Sequence, residues 1–176
     1  MKSPKVEYSS ANLLYLCCMN LFLEYRPPKE LRALFIAHYA PLLLIIMIGP
    51  MTAFYGVWTL PLPALFSIII GICIFLLGSV VYFSWEHFWH KTYKGQLVTT
   101  GIFAHIRHPH YTSLLIVGFG LALFFYSLAA LLIAILAIPL MIWSIFDEEK
   151  LLLKQYGNDY KHYMEQVPYR MVPKIF

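Results

Sequence analysis

The chain has 176 residues, of which 60% are hydrophobic and 17% aromatic; only 12% are charged, and the net charge is +4. A soluble domain carries about 25% charged residues, and a single domain of this length could not hide so much apolar surface from water, so lipid is the expected solvent. The basic residues lie between apolar stretches, which argues for contact with anionic headgroups over nucleic acid, and there is no internal repeat or low-complexity run.

The N-terminal segment, residues 1–32, carries Lys2 and Lys5 ahead of the apolar stretch Leu13 to Leu23. That stretch has no small-residue cleavage site, so no cleavable signal peptide is expected. Ser10 to Tyr25 is expected to form a helix lying in the interface or tucked under the bundle; a membrane span there is the rival reading. Cys17 and Cys18 are adjacent and Cys73 sits in an apolar span, a pattern that suits reduced thiols better than a disulfide framework.

The charge pattern then sets out the rest. No Asp, Glu, Lys or Arg occurs between Arg32 and Glu86, or between Arg107 and Asp147. At about 1.5 Å per residue, the first gap can cross a hydrocarbon core of about 30 Å twice, and the second barely so. The first gap has a midpoint at Gly49-Pro50 to Pro61-Leu62-Pro63, with Trp58 suited to the interface; the second turns near Phe125-Tyr126-Ser127. The expected spans are 33–50, 63–85, 111–126 and 129–147, giving an all-α integral membrane domain over 33–176 with four transmembrane helices in two hairpins. The second hairpin is short. All 13 Lys and Arg fall on one side, which the positive-inside rule makes cytoplasmic, with both termini there. The far side has almost no loop. The near side has the loop 86–110 and the tail 148–176, which hold nearly all the polar chemistry.

In the loop, Pro109 marks a helix start whose positive dipole end faces Arg107 and His108, a favourable place for an anion; interfacial anchoring by Arg107 and Tyr111 is the other reading. At the end of the fourth span stand Asp147, Glu148 and Glu149. Three acids at a helix C-terminus beside lipid need a compensating cation, unless they form a solvated collar answered by Lys150 and Lys154. The hairpin brings this cluster near Arg107 and His108. A cationic and an anionic site facing each other at the membrane surface would suit a zwitterion that also carries a positive charge. Glu86 and His87 close the second span beside Trp85 and Trp89, as part of an aromatic belt or as a lining for an acceptor's polar head.

Several motifs in their order resemble the isoprenylcysteine carboxyl methyltransferase and phospholipid methyltransferase superfamily. They are Gly101-Ile102-Phe103, Arg107-His108-Pro109-His110-Tyr111, Glu148-Glu149-Lys150-Leu151-Leu152, Tyr156-Gly157-Asn158-Asp159-Tyr160-Lys161-His162-Tyr163 and Val167-Pro168-Tyr169-Arg170-Met171-Val172-Pro173. The resemblance covers roughly residues 63–176. It implies an integral membrane methyltransferase that uses S-adenosylmethionine, with the cofactor in a cytosolic pocket capped by the C-terminal tail. It implies that Gln96, Leu97, Val98, Gly101 and Phe103 line the pocket, that His108, Pro109 and Tyr111 hold the cofactor near the third helix, and that Glu148 takes its ammonium with Glu149 in support; on physical grounds Arg107, His108 or the helix N-terminus suits the cofactor's carboxylate. The acceptor, a prenylcysteine carboxylate, a lipid amine or a thiol, would enter from the bilayer, with Glu86, His87 and Ser144 as candidate contacts. Methyl transfer is an in-line displacement, so no protein nucleophile is expected.

Two positions depart from the family's pattern. Ser113 stands where Gly is common. Ser144 stands where many relatives have an Arg one turn before the acidic pair, and that removes the counter-charge an acidic acceptor would meet. Seven histidines, with His87 and His90, and His105 and His108, three apart, invite a zinc reading, but no cysteine is near and the acids lie elsewhere, so no metal is expected. His38 lies closest to haem-ligand depth and is expected to be an interfacial histidine. The rival to an enzyme is a non-catalytic membrane scaffold that keeps the fold.

Overall fold

The computed structural model describes residues 29–176, with side chains from residue 38 onward. The helix expected over Ser10 to Tyr25, together with Cys17 and Cys18, lies outside the described residues. Five α-helices follow one another: α1 Lys29–Tyr55, α2 Ala64–Thr92, α3 Pro109–Phe124, α4 Leu128–Tyr156 and α5 Asn158–Gln166, with a 3-10 turn at Gly101–Ala104. There is no strand among the described residues; Thr59 and Ser127 form a single isolated bridge.

Three of these helices, α1 from His38, α2 and α4, are long and apolar enough to cross a membrane. The fourth, α3, is apolar but has 16 residues, about 24 Å at 1.5 Å per residue and short of a ~30 Å core. The side-chain pattern fits lipid as the outer solvent. Of the α2 residues only Ser67, Gly71 and Gly78 are buried, while Leu65, Phe66, Ile69, Ile72, Leu76 and Phe83 face outward. In water each such side chain would forgo about 1.5–3 kcal/mol of burial energy; in hydrocarbon the loss vanishes.

The small residues decide which helices touch. A Cβ on Gly71 would fall 2.3 Å from the Phe124 backbone nitrogen, and one on Gly120 would fall 2.4 Å from that of Phe75. The α2 and α3 backbones therefore meet directly, a contact that larger residues would forbid. The Ser67 hydroxyl donates to Leu123 O at 2.9 Å in the same seam. On α4, Ala130, Ala134, Ala137, Met141, Ser144, Ile145 and Glu149 are buried, a three-four spacing that keeps one face inward. That face packs on Ile45 of α1 and on Leu114 and Ala122 of α3. The most extensive pairings are α2 with α3 and α1 with α4, so the first hairpin splays, and each arm finds its main partner in the second.

The far-end turns hold each other. Leu128 N donates to Trp58 O at 2.7 Å, and Leu60 N to Tyr126 O at 3.3 Å. The Ser127 hydroxyl caps α4 by accepting from Ala130 N at 3.1 Å, while accepting from the Thr52 hydroxyl of α1 at 2.7 Å; such a cap contributes about 1 kcal/mol. The near ends differ from the expected spans. α2 runs on through Glu86 to Thr92, and α4 continues two turns past the acids to Tyr156. The premise that Asp147 to Glu149 close a helix is thus corrected: the helix ends at Gly157, whose φ of 57° suits glycine, and the acids sit mid-helix.

Candidate functional site at the near end

The site is built where α3 begins. Pro109 occupies the first turn of α3, where a missing N–H costs nothing, and His108 is the residue before it. The backbone N–H groups of Arg107 and His108 donate to Tyr169 O at 3.0 Å and Arg170 O at 2.8 Å. Thr112 adds a hydroxyl bond to Met171 O at 2.9 Å. The tail is thereby laced to the start of α3 in an extended register. A second anchor lies outside it: the Tyr163 hydroxyl of α5 donates to Phe103 O at 2.7 Å. Here Val98, Phe103, Tyr160, Tyr163 and Val167 form a buried cluster, with Trp85, Phe88, Trp89 and Leu97 packed against it.

Arg107 points into this joint. Its Nε and Nη2 donate to Glu149 Oε1 at 3.0 and 2.7 Å, and its Nη1 donates to Val167 O at 2.7 Å. Glu149 also accepts from Arg170 Nε at 3.1 Å on both oxygens and from Nη2 at 3.0 Å. His108 Nε2 lies 3.4 Å from Glu149 Oε1. The Arg107 and Glu149 side chains are 3% and 6% exposed. His108 and two guanidinium groups surround this carboxylate and offset the cost of burying its charge. The guanidinium of Arg170 lies 4.9 Å from the Phe146 ring centroid, a cation–π contact on its open side. Arg107, Glu149 and Arg170 therefore form a closed lock between α4, the start of α3 and the tail.

Glu148, next to this lock, is held differently. Its Oε2 accepts from the Tyr111 hydroxyl at 2.7 Å and lies 3.6 Å from His108 Nδ1. Its Oε1 has no hydrogen-bond partner among the described residues, and the side chain is 27% exposed. Burial alone would push His108 toward the neutral form, but hydrogen bonds and charge from Glu148 and Glu149 outweigh it and hold the imidazole above its ordinary value. Asp147 turns away and pairs with Lys150 at 2.7 Å on the outer surface.

The structure thus brings Arg107, His108, Pro109, Tyr111, Glu148 and Glu149 together. Leu97, Val98 and Phe103 lie in the adjoining aromatic cluster, Gly101 opens the 3-10 turn, and Gln96 is exposed. Ser144 is buried on α4 one turn before Glu148. Glu86 is half-buried, whereas His87 faces outward. The Trp85 and His110 rings meet at a tilt, with centroids 4.5 Å apart, so Trp85 is built into the helix joint.

His38 stands at the start of the apolar stretch of α1. It is 3% exposed, and its Nε2 lies 3.1 Å from the Tyr111 hydroxyl. It is therefore packed against α3. Its neighbour Tyr39 lies 3.3 Å from His110 Nε2 and 3.2 Å from the Tyr82 hydroxyl. The consecutive pair on α1 thus grips the consecutive pair His110-Tyr111 on α3. Arg170 and Tyr163 stand inside two of the family-like motifs, but nothing in the sequence assigns either a role, because their partners Glu149 and Phe103 are 21 and 60 residues away. Among the described residues no three His, Cys, Asp or Glu side chains are grouped to hold a metal.

The family model for phospholipid methyltransferase matches residues 54–159 of this chain, a stretch containing α2, α3, α4 and both Glu148 and Glu149. Comparison with curated proteins finds no match.

Proposed function

The chain belongs to the phospholipid methyltransferase family, and on that premise we propose that it transfers a methyl group from S-adenosylmethionine to a lipophilic acceptor that enters from the bilayer. Family membership makes it a membrane methyltransferase for lipid-related substrates. The observation that carries the finer reading is the half-open carboxylate of Glu148, gripped on one oxygen by Tyr111 and His108 and open on the other.

S-adenosylmethionine supplies, when bound, a methyl group activated on a sulfonium. Glu148 Oε1 is an anionic acceptor suited to its ammonium. His108 steadies Glu148. Arg107 and Glu149, being mutually satisfied, serve the site by fixing the tail over it and shutting out water. The loop residues Gln96, Leu97, Val98, Gly101 and Phe103 form the wall next to the tail. No protein nucleophile is needed, because the acceptor attacks the methyl directly; the protein's work is alignment.

Leu42, Ile45, Leu114, Gly118, Ala137 and Met141 line a narrow apolar seam between α1, α3 and α4. Ser144 leaves no cation one turn below Glu148, so a neutral or cationic acceptor headgroup fits better than a carboxylate.

Binding of S-adenosylhomocysteine to detergent-purified protein tests the cofactor assignment. Calorimetry is expected to give a dissociation constant on the micromolar scale, about −8 kcal/mol. No heat and no thermal shift at millimolar ligand would remove the methyl-donor reading and favour a scaffold that keeps only the fold.

A further inference from the structure

We propose that His38 is a positioning residue of this site: from α1 its Nε2–H donates to the Tyr111 oxygen and so commits the Tyr111 proton to Glu148 Oε2, leaving Oε1 for a cationic ligand. The functional part of the proposal rests on the reading of Glu148 given above. His38 and Arg170 both lie outside residues 54–159, the stretch the family model matches.

The argument is a proton count along a buried chain. The Tyr111 hydroxyl has one proton and lies 2.7 Å from Glu148 Oε2 and 3.1 Å from His38 Nε2. An ionised carboxylate can only accept, so the Tyr111 proton goes to Glu148. What remains toward His38 is the Tyr111 lone pair, and a hydrogen bond there requires the proton to be on His38 Nε2. A bare Nε2 would set two acceptors against one proton and pull the hydroxyl away from Glu148. The rings reinforce the alignment: His38 and Tyr111 meet edge to face, with centroids 4.4 Å apart. Both residues are 3% exposed, so water cannot stand in for a missing partner. The Tyr39 bond to His110, made by the residue after His38 on α1 and the residue before Tyr111 on α3, fixes the register of α1 on α3. The chain runs from a helix that the match largely omits to the carboxylate at the centre of the site.

Two readouts test this. In detergent-solubilised full-length protein without ligand, nitrogen-15 NMR of labelled histidine is expected to show His38 protonated on Nε2. A bare Nε2 overturns the proposal whatever the binding result. The second readout is affinity for S-adenosylhomocysteine. His38→Leu is expected to weaken it about tenfold, the scale of one hydrogen bond to a charged group. His38→Gln, whose amide N–H falls near the Nε2 position, is expected to restore it to within about threefold, and His38→Asn, whose amide sits nearer Nδ1, is not. In a Tyr111→Phe background, His38→Leu is expected to add nothing further. Unchanged binding in His38→Leu, a Gln variant as weak as Leu, or an undiminished effect in Tyr111→Phe each contradicts the proposal. Wild-type protein that binds no S-adenosylhomocysteine sinks the methyl-donor reading instead, and the tautomer then decides the hydrogen-bond chain by itself.

Discussion

Asp147, Glu148 and Glu149 are consecutive acids with three different surroundings, and their substitutions should separate. Glu149→Gln removes the charge that answers Arg107 and Arg170. Breaking one partner of a buried pair costs about 3–5 kcal/mol, so a large drop in thermal stability in detergent is expected with or without ligand. Glu148→Gln is expected to keep the fold and lose about 1.5–3 kcal/mol of S-adenosylhomocysteine affinity. Asp147→Asn breaks only a surface pair with Lys150 and should change neither by more than about 0.5 kcal/mol. Equal binding losses for Asp147 and Glu148 would refute the assignment of the ammonium site. His108 adds a pH test. Its folded value lies above the ordinary one, so its stabilisation is complete below about pH 6.5 and fades as pH rises through the folded value. The stability difference between wild type and His108→Gln should therefore shrink with rising pH; a difference that grows would mean the imidazole is held neutral.

At the scale of helices, contact between α2 and α3 depends on glycine. Gly71→Ala would place a methyl 2.3 Å from the Phe124 backbone, where no side chain can yield. Overpacking of this kind costs about 1–3 kcal/mol, and thermal denaturation in detergent should show it. Gly118→Ala is the matched control, because its added carbon would rest 3.4 Å from the end of the flexible Ile45 side chain. If both substitutions are tolerated alike, the close α2–α3 seam is wrong. The existence and order of the apolar helices were legible from the two charge gaps. Their ends were not, because α2 and α4 each leave the apolar zone and continue as charged helix to Thr92 and Tyr156, and charge beside an apolar span looks the same in a helix as in a loop or tail. Partnering was equally hidden: hairpin logic pairs neighbours, whereas Ser67, Gly71 and Gly120 show their meaning only once the seam is seen.

For the whole molecule, the four apolar helices alternate, so the turns 56–63 and 125–127 share one end and the loop 93–108 and the tail share the other. The motifs pointed to Arg107, His108, Tyr111, Glu148 and Glu149, and the structure gathers them. What spacing could not show is that Arg107 is already taken by Glu149 and Val167 O, so that only Glu148 keeps an open oxygen. Nor could it show His38, which lies 73 residues from Tyr111. The one-sided placement of Lys and Arg predicts which end is cytoplasmic. In intact cells carrying a chain free of native cysteines, an impermeant thiol reagent is expected to label Val57→Cys and spare His90→Cys; the reverse pattern would invert the topology.

The central claim is methyl transfer to a lipid-phase acceptor at Glu148. Its most direct test is to incubate membranes containing the chain with methyl-labelled S-adenosylmethionine and count label in the organic extract. Wild type is expected to place label there, and Glu148→Gln, expressed and folded to the same level, about ten- to a hundredfold less at limiting donor, as follows from a loss of roughly 1.5–3 kcal/mol. Organic-phase label no greater than in membranes lacking the chain, or equal label from wild type and Glu148→Gln, would contradict it.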